Sequence, residues 1–214
     1  SPNTVEVNGT QYTGKNVVLA TGSYAKTLPG LDIDGRRVIT SDQALNMDYV
    51  PKSAIVLGGG VIGCEFASVW KSFGADVTII EGLSHLIALE DESSSKQLER
   101  AFRKRGIKFE LGVKFKSHKV NGDSVTVTLE DGREFTAEVL LVSVGRGPVT
   151  DGIGYQEVGI AMDRGYVLVD DHCRTNIPGV FAVGDIIPTL QLAHVGFQEG
   201  ILVAETIAGL NPRP

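Results

Sequence analysis

The residues whose types and spacing could do chemistry lie in Ala54-Ile55-Val56-Leu57-Gly58-Gly59-Gly60-Val61-Ile62-Gly63-Cys64-Glu65 and Asp76-Val77-Thr78-Ile79-Ile80-Glu81. An apolar run enters Gly-x-Gly-x-x-Gly, a helical pattern follows, and a second apolar run ends in an acid. That is the order of a dinucleotide-binding βαβ unit. Gly58 permits the tight turn from strand to helix, Gly60 lets the backbone approach a pyrophosphate, and Gly63 lets the helix lie close on the sheet. The N–H groups from Gly60 to Ile62, with Gly59 beside them, face the phosphates under the positive end of the helix dipole. A glycine cluster can also be a plain turn. Two features favour the nucleotide reading. Ile62, Phe66, Val69 and Phe73 recur at helical spacing and give the segment one apolar face. Glu81 stands close to the expected ~20 residues beyond the glycines.

Glu81 also selects between dinucleotides. A carboxylate there bonds the adenosine ribose hydroxyls of NAD and repels the phosphate that NADP carries at that position. Sites for NADP offer arginine instead, and none stands between Glu81 and Leu89. The alternative is a strand-end acid facing water. Glu65, in the first helical turn, either serves the nucleotide site or simply complements the helix dipole.

The elements that must position these groups are legible around them. Alternation about Asn8-Gly9 predicts a hairpin over residues 4–13. A buried strand over 16–20 runs into Thr21-Gly22-Ser23. Thr40-Ser41-Asp42-Gln43 opens a short helix, and Pro51 separates it from the glycine unit. Residues 91–105 read as a helix with acids first and Arg103, Lys104 and Arg105 last, stopped by Gly106. A strand follows over 107–111. Segments 113–120, 124–129 and 134–139 form a three-stranded antiparallel meander. A buried strand from Val139 ends at Gly145, and a further strand spans 166–169. Thr175 to Gly184-Asp185 places a carboxylate at a glycine-marked strand end. Residues 191–199 lead into a C-terminal helix over 201–210. The fold class is α/β, a Rossmann-like parallel sheet with a meander.

Composition narrows the partners. A net charge of −6 over 214 residues argues against a nucleic-acid surface. No apolar run approaches the ~18 residues of a membrane span, and no signal-peptide pattern is visible. Cys64 and Cys173 have neither CxxC nor metal-ligand spacing, so no metal site is expected. Packing explains both thiols, and Cys64 in a first helical turn could alternatively have a lowered pKa. The expected compartment is the cytoplasm.

Ala20-Thr21-Gly22-Ser23 before Pro29-Gly30, the glycine unit with Glu65, Gly145-Arg146-x-Pro148 and Thr175 to Gly184-Asp185 occur in an order that resembles the flavin-dependent pyridine nucleotide–disulfide oxidoreductases. The run Leu192-Ala193-His194-Val195-Gly196-Phe197-Gln198-Glu199-Gly200 looks like the dihydrolipoamide dehydrogenase branch. The resemblance covers essentially the whole chain. It implies an NAD domain over 38–148 and a discontinuous FAD domain from 1–37 and 149–214. Asp185, after Gly184, would hold the FAD ribityl chain. Thr21, Gly22 and Ser23 would border the flavin, Ala193 and His194 would lie along its isoalloxazine end, and Gln191 and Leu192 would also belong to the FAD site. His194 could equally be a satisfied structural histidine. Glu65 matches the acid that orients nicotinamide, and Val61 takes the position that gates its pocket. Phe115 stands where the family has a small apolar residue against adenine, and Gly145 closes the nucleotide site. Gly147 departs from the family's usual arginine.

The family's second Gly-x-Gly-x-x-Gly, its Cys-x4-Cys redox disulfide and its C-terminal His–Glu acid–base pair are absent from these residues. No catalytic residue is therefore assigned, and the expectation is a middle fragment that is inactive alone. The parent would be a homodimer passing electrons from dihydrolipoamide through FAD to NAD⁺, with lipoamide-bearing subunits of a 2-oxo acid dehydrogenase complex as partners. The competing readings are a non-catalytic NAD-binding or partner-binding module and a related NADH oxidase or disulfide reductase.

Overall fold

The computed structural model describes residues 3–214, which divide into two compact units. One spans Ala25–Arg146; the other joins the segment ending at Tyr24 to Gly147–Pro214. The expected domain boundaries lie at 37/38 and 148/149.

The unit Ala25–Arg146 is built on five parallel strands in the order Val38–Ile39, Val139–Val142, Ser53–Leu57, Asp76–Ile80 and Lys108–Glu110. The central strands are nearly continuous runs of buried Val, Ile and Leu, because a parallel sheet is covered on both faces. Between Val38–Ile39 and Ser53–Leu57 in the sequence lies α1, Ser41–Ala44. Thr40 and Gln43 close its N-terminus as a capping box. Two longer helices, α2 (Val61–Ser72) and α3 (Glu92–Arg105), contribute Cys64, Ala67, Trp70 and Phe102 to a cluster with Val56, Val77, Ile79 and Leu141. A second cluster joins Ile55, Leu57, Ile80 and Leu140 to Val125, Val127 and Leu129 of the expected meander, Phe115–Asn121, Ser124–Leu129 and Glu134–Ala137. The middle meander strand alternates buried Val or Leu with half-buried Ser or Thr, which fixes its register.

The apolar face expected of α2 packs only in part: Ile62 and Phe66 are half-buried, Phe66 against the core. Gly63, Cys64, Ala67 and Trp70 are its buried residues, whereas Val69 is 47% and Phe73 65% exposed. Small residues win the sheet-facing positions because the helix approaches closely there. The exposed stripe borders an open cleft of about 1080 Å³ with Leu45, Tyr49 and Val50.

Gly63 is where that approach is tightest. A Cβ added there would strike the Gly58 carbonyl and come within 2.7 Å of Ser143 Oγ. Gly63→Ala is therefore expected to cost about 1–3 kcal/mol by overpacking. Denaturant unfolding of the purified chain measures it; an unchanged midpoint would show that the helix can lift off.

In the other unit, Asn8 and Gly9 both have positive φ and join Thr4–Val7 to Thr10–Thr13 as the expected hairpin. Val17–Leu19 pairs in parallel with Val180–Ala182, so segments far apart in sequence share one small sheet. The strand expected over 166–169 is only Tyr166–Val167, paired with Met162–Asp163. The C-terminal helix, α4, spans Ala193–Ile207 and not 201–210. Gly196 and Gly200 weaken its helical signal, but burial of Glu199 and Val203 holds the early turns in place.

Candidate functional site

The three motif glycines have separable causes. Gly58 has φ +109°, and a Cβ on it would strike the Ser143 carbonyl. Gly63 sits under α2 as described. Gly60 is different: a Cβ there would meet nothing within 4 Å. Gly60 is the N-cap of α2 and no side chain caps the helix, so its first N–H groups remain for a ligand. Open space at Gly60 beside uncapped donors fits a dinucleotide pyrophosphate.

Gly59, which the motif leaves free, is also constrained. A Cβ there would lie 2.7 Å from Leu86 Cδ2 and 3.1 Å from Glu81 Cβ. Ser143, Leu86 and Gly59 are positioning residues that the motif does not reveal, because each acts through tertiary packing.

Glu81 follows the strand Asp76–Ile80 and turns back onto the glycine loop. Its Oε2 accepts the Gly59 N–H at 2.5 Å and its Oε1 accepts the Leu83 N–H at 2.7 Å. A carboxylate has about four lone-pair sites. Two are used by backbone and the other two fit the two hydroxyls of a ribose.

The remaining nucleotide candidates are distributed around this loop. Val61 and Glu65 are exposed on α2 and line the cleft, and Ile62 is half-buried. Gly145, φ +117°, is exposed beyond the strand Val139–Val142. Phe115 is half-buried in the cluster beneath the meander and its ring stacks on His118 at 6.4 Å.

Cys64 belongs to packing. Burial first, then the Glu81 and Glu65 carboxylates, push its thiol up to about 12, and Sγ donates to the Gly59 carbonyl at 3.3 Å. Burial, with Glu199 and Asp170, pushes the Cys173 thiol up to about 11. A small thiol reagent at pH 8 is therefore expected to leave both unreacted until the protein is unfolded. Rapid native labelling of Cys64 would contradict this.

In the second unit, the strand Val180–Ala182 delivers Gly184 and Asp185 into a single 3₁₀ turn, Gly184–Ile186. Ser23 Oγ donates to Asp185 Oδ2, and Gln191 Nε2 donates to the Asp185 carbonyl at 3.3 Å. Thr21 turns its hydroxyl to the Val149 carbonyl at 2.6 Å and to Tyr155 Oη at 3.2 Å, and the carbonyl of Gly22, φ +74°, accepts the Val149 N–H at 2.9 Å. Leu192 is the N-cap of α4, and Ala193 and His194 occupy its exposed first turn. Buried Glu199 accepts the Gly184 N–H at 2.6 Å and the Thr189 hydroxyl at 2.8 Å, a support unmarked by sequence spacing. A half-buried carboxylate fixed beside a hydroxyl on open glycine backbone fits the polyhydroxyl chain of a flavin cofactor. A Cβ on Gly147 would lie 2.7 Å from Tyr24 Cζ, at the far end of an exposed ring that can turn aside.

These features meet in one class of protein. The family model described as pyridine nucleotide-disulphide oxidoreductase matches residues 1–200, and the chain belongs to that family. Members work with FAD and a nicotinamide dinucleotide. The chain is 45% identical over 213 residues to a dihydrolipoyl dehydrogenase of Cupriavidus necator, covering 97% of this chain and 45% of that protein. It is 42% identical over 205 residues to the dihydrolipoyl dehydrogenase of Bacillus subtilis, covering 94% and 43%. Among solved structures, LpdA of Mycobacterium tuberculosis superposes with a TM-score of 0.89 at 32% identity, over 98% of this chain and 46% of that one. The HOCl-induced flavoprotein disulfide reductase RclA of Escherichia coli gives 0.89 at 28% identity, over 99% and 49%. The chain thus spans less than half the length of the curated relatives it matches. Among the described residues, no helix is long and apolar enough to cross a membrane, and no cluster of side chains could hold a metal ion.

Proposed function

We propose that this chain is the NAD-binding part, with one wall of the FAD site, of a dihydrolipoyl dehydrogenase. The observation that carries the dinucleotide reading is Glu81, whose carboxylate is bonded to the glycine loop at Gly59. Gly58 to Gly63 would receive the pyrophosphate, with Val61, Glu65, Phe115 and Gly145 around the rest of the dinucleotide. Asp185, Gly184, Ser23, Gly22 and Thr21 would border FAD, with Gln191, Leu192, Ala193 and His194 beside them. Bound flavin and nicotinamide would supply the electron exchange, while these residues bind and orient. Residues 1–37 and 149–214 would form the FAD domain around an NAD domain of 38–148.

The names of the relatives support dihydrolipoamide as the parent's substrate. By extension, the parent would be a cytoplasmic homodimer serving lipoamide-bearing subunits of a 2-oxo acid dehydrogenase complex. A disulfide reductase of other specificity is the second reading, favoured by the RclA superposition but at lower identity. The 214-residue chain is expected to bind NADH in calorimetry and to copurify with little FAD. The full-length parent is expected to reduce NAD⁺ with dihydrolipoamide. A parent that binds NADH yet reduces a different disulfide would establish the second reading.

A further inference from the structure

The loop after Glu81 contains a backbone outlier at a residue that is not glycine. Ile87 has φ +45°, a region that β-branched residues almost never occupy. Such strain persists only where the surroundings over-determine it, and it clusters at functional sites. Here the constraints come from two sides. The Ile87 N–H donates to the Gly59 carbonyl at 2.8 Å, and the adjacent Leu86 side chain presses on Gly59. From α3, buried Ser95 donates its hydroxyl to the Ile87 carbonyl at 3.4 Å. Glu99, only 7% exposed, accepts the Leu86 N–H on Oε1 at 3.3 Å.

A buried carboxylate is costly unless its charge is answered. Arg103 Nη2 answers the Glu99 carboxylate at 3.4 Å, and His85 Nδ1 lies 3.7 Å from its Oε1. His85 also faces Glu92 at 3.9 Å, which in turn holds Lys96 at 2.7 Å. The arrangement keeps a charged acceptor in place to hold one backbone N–H of a strained loop. That loop closes on Gly59, whose own N–H is bonded to Glu81.

We propose that Glu99 is a positioning residue for the dinucleotide site. Through Leu86 and the strained Ile87 it fixes Gly59 and Glu81, and so sets the affinity for the adenosine-ribose half of a dinucleotide and the selectivity against a 2′-phosphate. This rests on the nucleotide reading above and extends it to a residue that touches no ligand.

The test is calorimetry on the 214-residue chain with NADH, NADPH and ADP-ribose. Glu99→Leu removes the acceptor and its charge. It should weaken NADH and ADP-ribose by the same factor, about twofold to thirtyfold, the span expected of a residue coupled to a site through packing. The NADH-to-NADPH affinity ratio should fall as well, because Glu81 is no longer fixed. Glu99→Gln keeps an oxygen acceptor for the Leu86 N–H and should recover most of the ratio. Ile87→Gly keeps the α3 network, frees the loop backbone and removes a side chain packed against the core, so it should lower the ratio even if Glu99→Leu does not fold. A purely structural role for Glu99 would lower the folded fraction and both affinities equally, leaving the ratio untouched. Unchanged ratios in folded Glu99→Leu and Ile87→Gly would overturn the inference while the nucleotide reading stands. No NADH binding by the unsubstituted chain would overturn both.

Discussion

Gly60→Val is expected to abolish binding of NADH and NADPH alike while leaving the chain folded. The added side chain enters open space, with nothing within 4 Å of its Cβ, so no core contact is disturbed. Gly60 has φ −71°, a conformation that valine adopts without strain. The structural cost is confined to exchanging glycine for a poorer N-cap, about 1 kcal/mol, or a shift of about 2–4 °C in Tm. The binding cost is larger, because a pyrophosphate then cannot approach the N–H groups at the start of α2. Each hydrogen bond to a charged group contributes roughly 1.5–3 kcal/mol, so losing two weakens binding by about a hundredfold or more. Isothermal calorimetry and a thermal melt on the same sample separate the two effects. Retained NADH affinity in Gly60→Val would remove the pyrophosphate from this loop. The contrast with Gly63→Ala is diagnostic: one glycine leaves room for a ligand, the other for a helix.

What the sequence made legible was local. Asn8-Gly9 fixes a hairpin, because only a few residue types accept consecutive positive φ. The meander follows from two-residue alternation, and Gly106 ends α3 in a left-handed conformation as its position suggests. The glycine motif and Glu81 could be picked out because their spacing is set by one strand, one turn and one helix. What was illegible depended on partners distant in sequence. The buried face of α2 consists of Gly, Cys, Ala and Trp, whereas the more hydrophobic stripe of Val69 and Phe73 lies exposed. Periodicity reports an apolar face but not which face a close-packed sheet admits. The early turns of α4 are hidden by glycines and revealed only by burial of Glu199. Gly59, Ile87 and Glu99 have no motif, since each is constrained by a neighbour that only the fold supplies.

Glu81→Ala is expected to erase the preference for NADH over NADPH, and the structure adds a second effect. In the unsubstituted chain, two lone-pair sites of the carboxylate hold Gly59 and Leu83, leaving two for the ribose hydroxyls. NADP replaces one hydroxyl with a phosphate. It loses at least one charge-assisted bond of about 1.5–3 kcal/mol and adds like-charge repulsion, a preference for NADH of roughly tenfold or more. Alanine removes both the bond and the repulsion, so NADH weakens and the two affinities converge. It also strands the N–H of buried Gly59, at a cost of about 1–3 kcal/mol in stability. Glu81→Gln separates these consequences. Its amide oxygen can still accept one backbone N–H, so it should recover part of the lost stability. Without the negative charge, however, it should not restore the full discrimination against NADPH. Calorimetry with both dinucleotides and denaturant unfolding, run on the three proteins, give two independent readings of one side chain. Equal affinity of the unsubstituted chain for NADH and NADPH would remove Glu81 from the ribose site. Unchanged stability in Glu81→Ala would show that water replaces the carboxylate at Gly59.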